Sequence, residues 1–451
     1  MTESKKGLKK DFLWNLIAEG ISAGQSALIL VFISAGMSIS DAGVFSIGYA
    51  ISTIACVIGM YGVRNFQVTD VSGRYRFKSY LFARFITVFT SLLVVFVYLG
   101  FQLGTSNYVI EKAIAVILIC IWKLDSVFED VVYGMYQQRG YLALGARTYA
   151  IRLISSTMLF CILTLTGLKL IPILVIVCIF SYIATFVSFK LTYPYVRNES
   201  NEDISSKDIS NKNISDKDTR TVISKTDNIQ TSLSLMDGIK QILWQCFPLA
   251  LSGALGNYIG NAPKYSIDWF MDDSAQAIFG YILMPSFVIL ILSNSVYRPI
   301  LPSLSQLYVS GDGKAFGKRL CKQLLMVGAM ALVILAGGFL FGIPVLSILY
   351  STDLTPYKSE FMLLLVGGIG YALASFASAI LTVMRKQKTI AVCYIICAIA
   401  CLSSSKFLID LAGFTGAVIQ YDICNIVLAV MLFTVVTYFV KYPSANDNGH
   451  A

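Results

Sequence analysis

The chain has 451 residues, of which 56% are hydrophobic and only 14% are charged, and its mean hydropathy is +0.70. Soluble domains are about 45–50% apolar and about 25% charged. The composition therefore excludes an ordinary soluble enzyme and predicts an all-α polytopic membrane protein. In this setting, the net charge of +9 indicates membrane topology rather than nucleic-acid binding.

Residue types that carry chemistry are sparse in this chain. Its one histidine, His450, stands next to the C-terminus, so neither a histidine-ligated metal site nor a Ser/His or Cys/His catalytic pair is expected. The ten cysteines form no CxxC pair, so neither a zinc site nor a disulfide framework is indicated. Cys393, Cys397 and Cys401 repeat along one helix face, and we interpret them as small packing residues. The sequence thus predicts no catalytic residue, no metal and no cofactor.

Apolar stretches of about 20 residues, the length that crosses a bilayer as a helix, recur along the whole chain. Twelve of them predict spans at about 12–34, 42–63, 79–103, 113–136, 145–167, 170–195, 238–262, 275–297, 323–350, 361–384, 389–409 and 415–440. The basic N-terminus leads into Asp11 and Glu19 without a small-residue cleavage site. We therefore interpret it as part of a retained first helix rather than as a signal peptide.

The basic residues are distributed unevenly between the loops. With the N-terminus placed in the cytoplasm, 26 of the 35 basic residues fall in cytoplasmic loops and tails, and only four fall in outer loops. Cytoplasmic loops are the ones enriched in Lys and Arg. The distribution predicts that both termini are cytoplasmic.

Residues 197–236 differ from the rest of the chain. They contain a five-residue near-repeat between Asp203 and Lys217, with mixed charge and few large apolar side chains. Such a segment cannot bury a core, and we interpret it as a disordered cytoplasmic linker. It separates a predicted six-helix lobe at 1–196 from a second predicted six-helix lobe, with a short cytoplasmic tail, at 237–451.

Six spans per lobe mean that both lobes enter the membrane in the same sense. Two lobes with the same orientation are expected for a parallel repeat about a pseudo-two-fold axis along the membrane normal. A shift of 234 positions places Ser46 on Gly280 and Arg64 on Arg298, at corresponding places in the second and eighth spans. The sequence therefore predicts two related lobes.

Several predicted spans contain charged residues: Glu19, Lys123, Asp125, Glu129, Asp130, Arg152 and Asp422. Charges within a membrane face an interior, pair with one another or mark a pathway. One interpretation is neutralised pairs that fix helix positions, such as Lys123 with Asp130 or Arg152 with Glu129.

The other interpretation is a water-filled cavity between the lobes. Lys123 and Arg152 would then help bind an anionic substrate. Carboxylates would couple transport to an ion, and the candidates are Glu19, Asp125, Glu129 and Asp422. For Arg64 and Arg298, the alternative to a binding role is simple anchoring at the cytoplasmic surface.

Three segments carry a family resemblance: Asn15-Leu-Ile-Ala-Glu-Gly20, Asp41-Ala-Gly-Val-Phe-Ser46 and Tyr61-Gly-Val-Arg-Asn65. Together with twelve spans, the six-plus-six split and the basic cytoplasmic loops, they resemble the Wzx-type oligosaccharide flippases of the MATE-like (MOP) transporter superfamily. The resemblance covers essentially the whole chain except the linker.

The resemblance implies two six-helix lobes that line a central cavity, in the cytoplasmic (inner) membrane of a bacterium. Flippases of this type move undecaprenyl-pyrophosphate-linked oligosaccharides, such as O-antigen or capsule repeat units, from the inner to the outer leaflet. By resemblance to the lipid II flippases, Arg64 and Arg298 would bind the pyrophosphate. Those relatives have two further helices that this chain lacks, which argues against lipid II itself. The implied partners are membrane lipids, a polysaccharide polymerase and glycosyltransferases.

Two alternatives stay open at this point. A cation-coupled multidrug or organic-cation antiporter of the same fold would need a cavity dominated by unpaired carboxylates. A membrane polysaccharide polymerase or glycosyltransferase would need a long outer loop or a soluble catalytic domain, and the sequence offers neither.

Overall fold

A computed structural model describes residues 2–70, 75, 77–139, 141–210 and 234–441. Within these ranges, the structure describes only the backbone of residues 2–13, 15–17, 19, 69, 195, 197–210 and 309. Most of the predicted linker, as well as the C-terminal tail with His450, therefore lies outside the described residues.

The described residues fold into helices with short connections. Before the predicted linker these are α1 (Thr2–Gly36), α2 (Ile39–Met60), α3 (Val63–Thr69), α4 (Phe77–Gly104), α5 (Ile110–Gln138), α6 (Leu142–Thr164) and α7 (Leu170–Ser210). The later helices are α8 (Leu235–Phe270), α9 (Asp273–Tyr297), α10 (Leu301–Val309), α11 (Gly313–Gly337), α12 (Ile343–Leu349), α13 (Lys358–Val383) and α14 (Gln387–Lys441). Short 3-10 turns at Arg298–Ile300 and Thr355–Tyr357 precede α10 and α13, and a π-helical turn at Gly338–Gly342 joins α11 to α12.

Eight of the described helical stretches are long and apolar enough to cross a membrane. One of them, α14, contains the last two predicted spans. Its helical backbone is interrupted between these spans at Gly413, where φ is 55° and ψ is −128°. Three further predicted spans lie in the more polar helices α1, α5 and α8. Together these helices account for all twelve predicted spans.

The two parts of α14 lie side by side. Gln420 Nε2 donates to Ser405 Oγ at 2.7 Å and to the Cys401 carbonyl at 2.8 Å, across the break at Gly413. Ser266 Oγ on α8 donates to Gln420 Oε1 at 2.8 Å. These buried bonds join α8 to both parts of α14.

The chain forms two compact units. The first unit comprises Met1–Ile29 and Ile51–Ala250, and the second comprises Leu30–Ala50 and Leu251–Ala451. The end of α1 and the beginning of α2 therefore belong to the second unit. The division into lobes at 1–196 and 237–451 stays a prediction.

In the first unit, α5 is the central helix and packs against α3, α4, α6 and α7. Its Trp122 stacks on Phe160 of α6, with ring centroids 5.7 Å apart. Val131 on α5 joins a buried cluster with Val63 of α3 and Ile242 of α8. The charged residues of α5 are thus surrounded by helices on several sides.

In the second unit, the start of α2 packs closely against α9. A Cβ at Gly280 would lie 2.6 Å from Ser46 Oγ, and a Cβ at Gly43 would overlap the backbone carbonyl of Asp273. Ser40 Oγ lies 3.3 Å from Asp273 Oδ2. Small residues allow this close approach of two helix backbones, as is common in membrane proteins.

Candidate functional site

A cavity of about 340 Å³ lies in the first unit, between α1, the end of α2, α3, α5 and α6. Its polar lining includes Ser22, Arg64, Glu129, Asp130, Tyr133 and Tyr149. The cavity therefore combines one cation, two carboxylates and two aromatic rings within a single unit.

The backbone break between α2 and α3 sets the position of Arg64. Tyr61 and Gly62 have φ values of 51° and 70°, in the left-handed region. Gly62 also lies against α8, because a Cβ there would come within 2.7 Å of Leu249 Cδ2. The left-handed region costs a non-glycine residue about 1–2 kcal/mol, so packing must hold Tyr61 in place. Arg64 follows two residues later, at the first turn of α3.

Arg64 reaches the cavity with its guanidinium only partly engaged. The guanidinium carbon lies 3.8 Å from the centroid of the Tyr133 ring, a cation–π arrangement. Nη2 donates to Gln137 Oε1 at 2.9 Å, whereas Nη1 is 3.5 Å from Asp130 Oδ1. The side chain is 26% exposed. Arg64 is therefore a cation with donor capacity left for a ligand.

A second arginine holds Asp130 more tightly than Arg64 does. Arg84 on α4 is fully buried, and its Nη2 donates to Asp130 Oδ2 at 2.7 Å. Arg84 Nη1 donates to the Gly59 carbonyl at 2.7 Å, which also accepts a bond from Thr87 Oγ1. Asp130, which the sequence pairs with Lys123, is instead held by Arg84 and Arg64.

Arg152 is buried between two carboxylates. It pairs with Glu129 through Nε and Nη2, both at 2.8 Å, and Nη1 lies 3.2 Å from Asp125 Oδ2. Ser181 and Thr185 on α7 donate to the same Asp125 oxygen at 2.6 and 2.9 Å. The predicted pair of Arg152 with Glu129 is confirmed, and the Arg152 side chain, 2% exposed, does not line the cavity.

Lys123 links α5 to α1. Its Nζ donates to Gln25 Oε1 at 3.0 Å, and Gln25 Nε2 donates onward to Thr157 Oγ1 on α6 at 2.8 Å. A further bond connects α6 with α1, because Tyr149 OH donates to Ser22 Oγ at 3.2 Å. Lys123 thus contributes charge to this region while it ties three helices together.

The remaining predicted site residues lie elsewhere. The side chain of Glu19 is outside the described residues, although its neighbour Ala18 lines the cavity. Arg298 is exposed in the 3-10 turn after α9, and Asp422 is buried on α14, both in the second unit. The Asp422 carboxylate occupies the space that a side chain at Gly367 would need. The cavity in the first unit therefore contains neither Arg298 nor Asp422.

Sequence reasoning missed the part that Arg84, Tyr133 and Tyr149 play in this site. A signal for Arg84 was present, since it is the only charged residue in the predicted span at 79–103. The tyrosines gave no signal, because aromatic residues are frequent throughout the chain, at 13%.

The contacts described above hold four cations and three carboxylates: Arg64, Arg84, Lys123, Arg152, Asp125, Glu129 and Asp130. One positive charge is in excess within this set. Arg64 is the cation of this set that lines the cavity, and Arg84 neutralises the neighbouring Asp130 at shorter range. A cation held in a low-dielectric cavity attracts anionic groups.

The fold matches solved structures of membrane transporters over nearly the whole chain. An inward-facing multidrug resistance MATE family transporter of the MOP superfamily aligns with a TM-score of 0.63 and 14% identity, covering 96% of this chain and 100% of that chain. A mutant of the Vibrio cholerae MATE transporter VcmN aligns with a TM-score of 0.61 and 14% identity, covering 98% of each chain. No family model and no curated protein matches the sequence.

A further match is a MOP superfamily transporter from Pyrococcus furiosus, with a TM-score of 0.58, 12% identity, and coverage of 97% of this chain and 96% of that chain. For that protein, a binding pocket of reversed polarity was taken to suggest a different function. At such identities the matches establish the fold alone. They confirm the predicted fold class, an all-α polytopic membrane protein with a MATE-like fold.

Proposed function

We propose that this protein is a transporter that works by alternating access and carries an amphiphile with an anionic head. The substrate we assign is an undecaprenyl-pyrophosphate-linked oligosaccharide, moved from the inner to the outer leaflet of a bacterial cytoplasmic membrane. The observation that carries this proposal is the partly engaged guanidinium of Arg64 in a cavity whose carboxylates already have arginine partners.

The chemistry of the headgroup explains why a protein cavity is needed. Sugar hydroxyls lose hydrogen bonds in hydrocarbon, and a pyrophosphate adds charge that hydrocarbon cannot solvate. A guanidinium offers forked, charge-assisted hydrogen bonds that match phosphate oxygens. Arg64 would bind the pyrophosphate in this way while the polyprenyl tail stays in lipid.

The size of the cavity sets a limit on what it holds. Its volume of about 340 Å³ is near the lower end of the range of about 300–1,000 Å³ for small-molecule sites. This is enough for the phosphate end of the headgroup rather than for a whole oligosaccharide. The glycan would occupy further space that the transport cycle provides.

Ion coupling would use a carboxylate, and Asp422 is the best candidate. Asp125 and Glu129 are engaged by Arg152, so protonating either would weaken an existing ion pair. Asp422 is buried, and its Oδ1 has no hydrogen-bond partner among the described residues. Glu19 stays a candidate on sequence grounds alone.

The second candidate function is an organic-cation antiporter. Glu129 and Asp130, together with the rings of Tyr133 and Tyr149, line the same cavity and could attract a cation. This reading is less favoured because both carboxylates are already paired with arginines.

The test is transport of the lipid-linked oligosaccharide by purified protein in lipid vesicles, with Arg64→Gln, Arg64→Lys and Arg298→Gln. We expect Arg64→Gln to reduce transport at least about tenfold, as loss of a charge-assisted contact does, and Arg64→Lys to retain part of it. The control is Arg319→Gln, which removes the same charge at an exposed position of α11.

Two results would overturn the proposal. One is transport at the wild-type rate by Arg64→Gln. The other is uptake of a lipophilic cation, rather than of the lipid, in exchange for protons or sodium. An altered sugar chain in the product would instead support the enzyme alternative, since a flippase leaves its substrate chemically unchanged.

A further inference from the structure

Arg84 is the most deeply buried arginine of the region, with a side chain that is 0% exposed. It does not line the cavity itself. Burying a guanidinium is costly unless it is paired and hydrogen-bonded, so its contacts should reveal what it does. Those contacts lead to Arg64 by two routes.

The first route runs through Asp130. The carboxylate lies between two guanidiniums, with Arg84 Nη2 at 2.7 Å from Oδ2 and Arg64 Nη1 at 3.5 Å from Oδ1. The shorter contact dominates because both groups there are desolvated, whereas Arg64 is partly exposed. Arg84 therefore offsets most of the charge of Asp130.

The second route runs through the backbone. Gly59 lies in the last turn of α2, where helix carbonyls lack partners within the helix. Its carbonyl accepts bonds from Arg84 Nη1 at 2.7 Å and Thr87 Oγ1 at 2.6 Å. These bonds fix the end of α2 just before the left-handed break, and thus the point from which the chain leads to Arg64.

We propose that Arg84 is the positioning residue that sets the charge preference of the cavity: it holds Asp130, so that Arg64 stays available for an anion. This inference rests on the proposed function and names what gives that site its preference for anions.

With Arg84 in place, Arg64 can bind an anion while the Asp130 carboxylate keeps a cationic partner. When a phosphate engages Arg64, the 3.5 Å contact to Asp130 can lengthen while Arg84 keeps the carboxylate paired. Without Arg84, Arg64 would become the sole arginine partner of Asp130. Binding an anion would then leave a largely buried carboxylate unpaired, which is strongly unfavourable.

The test is a binding cycle on the purified full-length protein in lipid nanodiscs. The anionic probe is farnesyl pyrophosphate, the cationic probe is tetraphenylphosphonium, and both dissociation constants are measured by calorimetry. We expect Arg84→Met to weaken pyrophosphate binding about tenfold or more, and to strengthen phosphonium binding, because the cavity loses its excess positive charge. Asp130→Asn should strengthen pyrophosphate binding.

The decisive variant is Arg84→Met/Asp130→Asn. It restores the excess positive charge of the wild type, so pyrophosphate affinity should recover to within about threefold. A double variant that binds as weakly as Arg84→Met would overturn the inference, as would unchanged selectivity in Arg84→Met. If Arg84→Met does not fold, loss of pyrophosphate affinity in Asp130→Asn alone overturns it.

Arg64→Gln separates this inference from the proposed function. If Arg64→Gln binds farnesyl pyrophosphate as well as the wild type does, the proposed function fails. If Arg64→Gln loses binding but the double variant is not rescued, only the role of Arg84 fails.

Discussion

Ser46 and Gly280 touch each other in the second unit, at positions that a shift of 234 residues makes equivalent. Residues related by a two-fold axis meet each other only close to that axis. A parallel repeat, which stays a prediction, would therefore place such a pair near its axis. The contact itself explains why one of the two positions is a glycine, since a Cβ at Gly280 would lie 2.6 Å from Ser46 Oγ.

Gly280→Val should destabilise the protein, because a Cβ at this position would lie 2.6 Å from Ser46 Oγ. Overpacking of a tight contact typically costs about 1–3 kcal/mol. The measurement is thermal unfolding in detergent. Gly328→Val is the matched control, since a Cβ on that helical glycine meets nothing within 4 Å. Equal losses for both variants would argue against a specific contact at Gly280.

Gly62→Ala should lower both stability and pyrophosphate affinity. The substitution combines a left-handed φ of 70° with a Cβ only 2.7 Å from Leu249 Cδ2. The backbone contribution alone is about 1–2 kcal/mol. Gly167→Ala is the control, because its φ of 78° is similar and its Cβ would meet nothing within 4 Å.

The comparison isolates the contact with Leu249. If both alanine variants behave alike, the position of Arg64 does not depend on that contact. If only Gly62→Ala loses affinity, then adding Leu249→Ala should return part of it.

Arg152→Met should unfold more readily than the wild type, because it leaves Glu129 and Asp125 without their shared cation. Breaking a buried ion pair from one side costs about 3–5 kcal/mol. The triple variant with Glu129→Gln and Asp125→Asn should recover most of the lost stability in chemical unfolding. A stable Arg152→Met that merely fails to bind pyrophosphate would instead return Arg152 to the role of a ligand-binding residue.

Asp422→Asn should uncouple transport from the ion gradient. The carboxylate is buried and no ion pair with a described cation holds it, so protonation or cation binding there breaks no described ion pair. The measurement is flipping driven by imposed proton, sodium or potential gradients in vesicles. Asp410→Asn, at an exposed position of the same helix, serves as the control. Unchanged gradient dependence in Asp422→Asn would rule out this carboxylate.

The fold could be predicted from the sequence because apolar length alone marks membrane helices. The predicted span at 275–297 coincides with α9 (Asp273–Tyr297) apart from two residues. The end of α8 was harder to place. It continues to Phe270, well past the predicted end at residue 262, and buries Lys264 at 3% exposure. The last turns of α8 contain polar residues that are buried inside the protein. From composition alone, such a helix end cannot be distinguished from a loop.

The site could be predicted only in part, for a different reason. Arg152 and Glu129 were identified as partners because both are charges in neighbouring spans. The contact of Arg84 with Asp130 joins residues 46 positions apart. The pattern of residues along the chain does not show which buried cation contacts which carboxylate. That depends on how α3, α4 and α5 pack against one another.

The hairpin of residues 30–50 has a consequence for how the protein can be produced. It is encoded near the start of the gene, yet it belongs to the second unit, where Gly43 and Ser46 cover Asp273 and Gly280. A C-terminal fragment beginning at residue 234 would lack this cover and expose α9 around Asp273 and Gly280. Co-expressed fragments should therefore associate, whereas the C-terminal fragment made by itself should be prone to degradation.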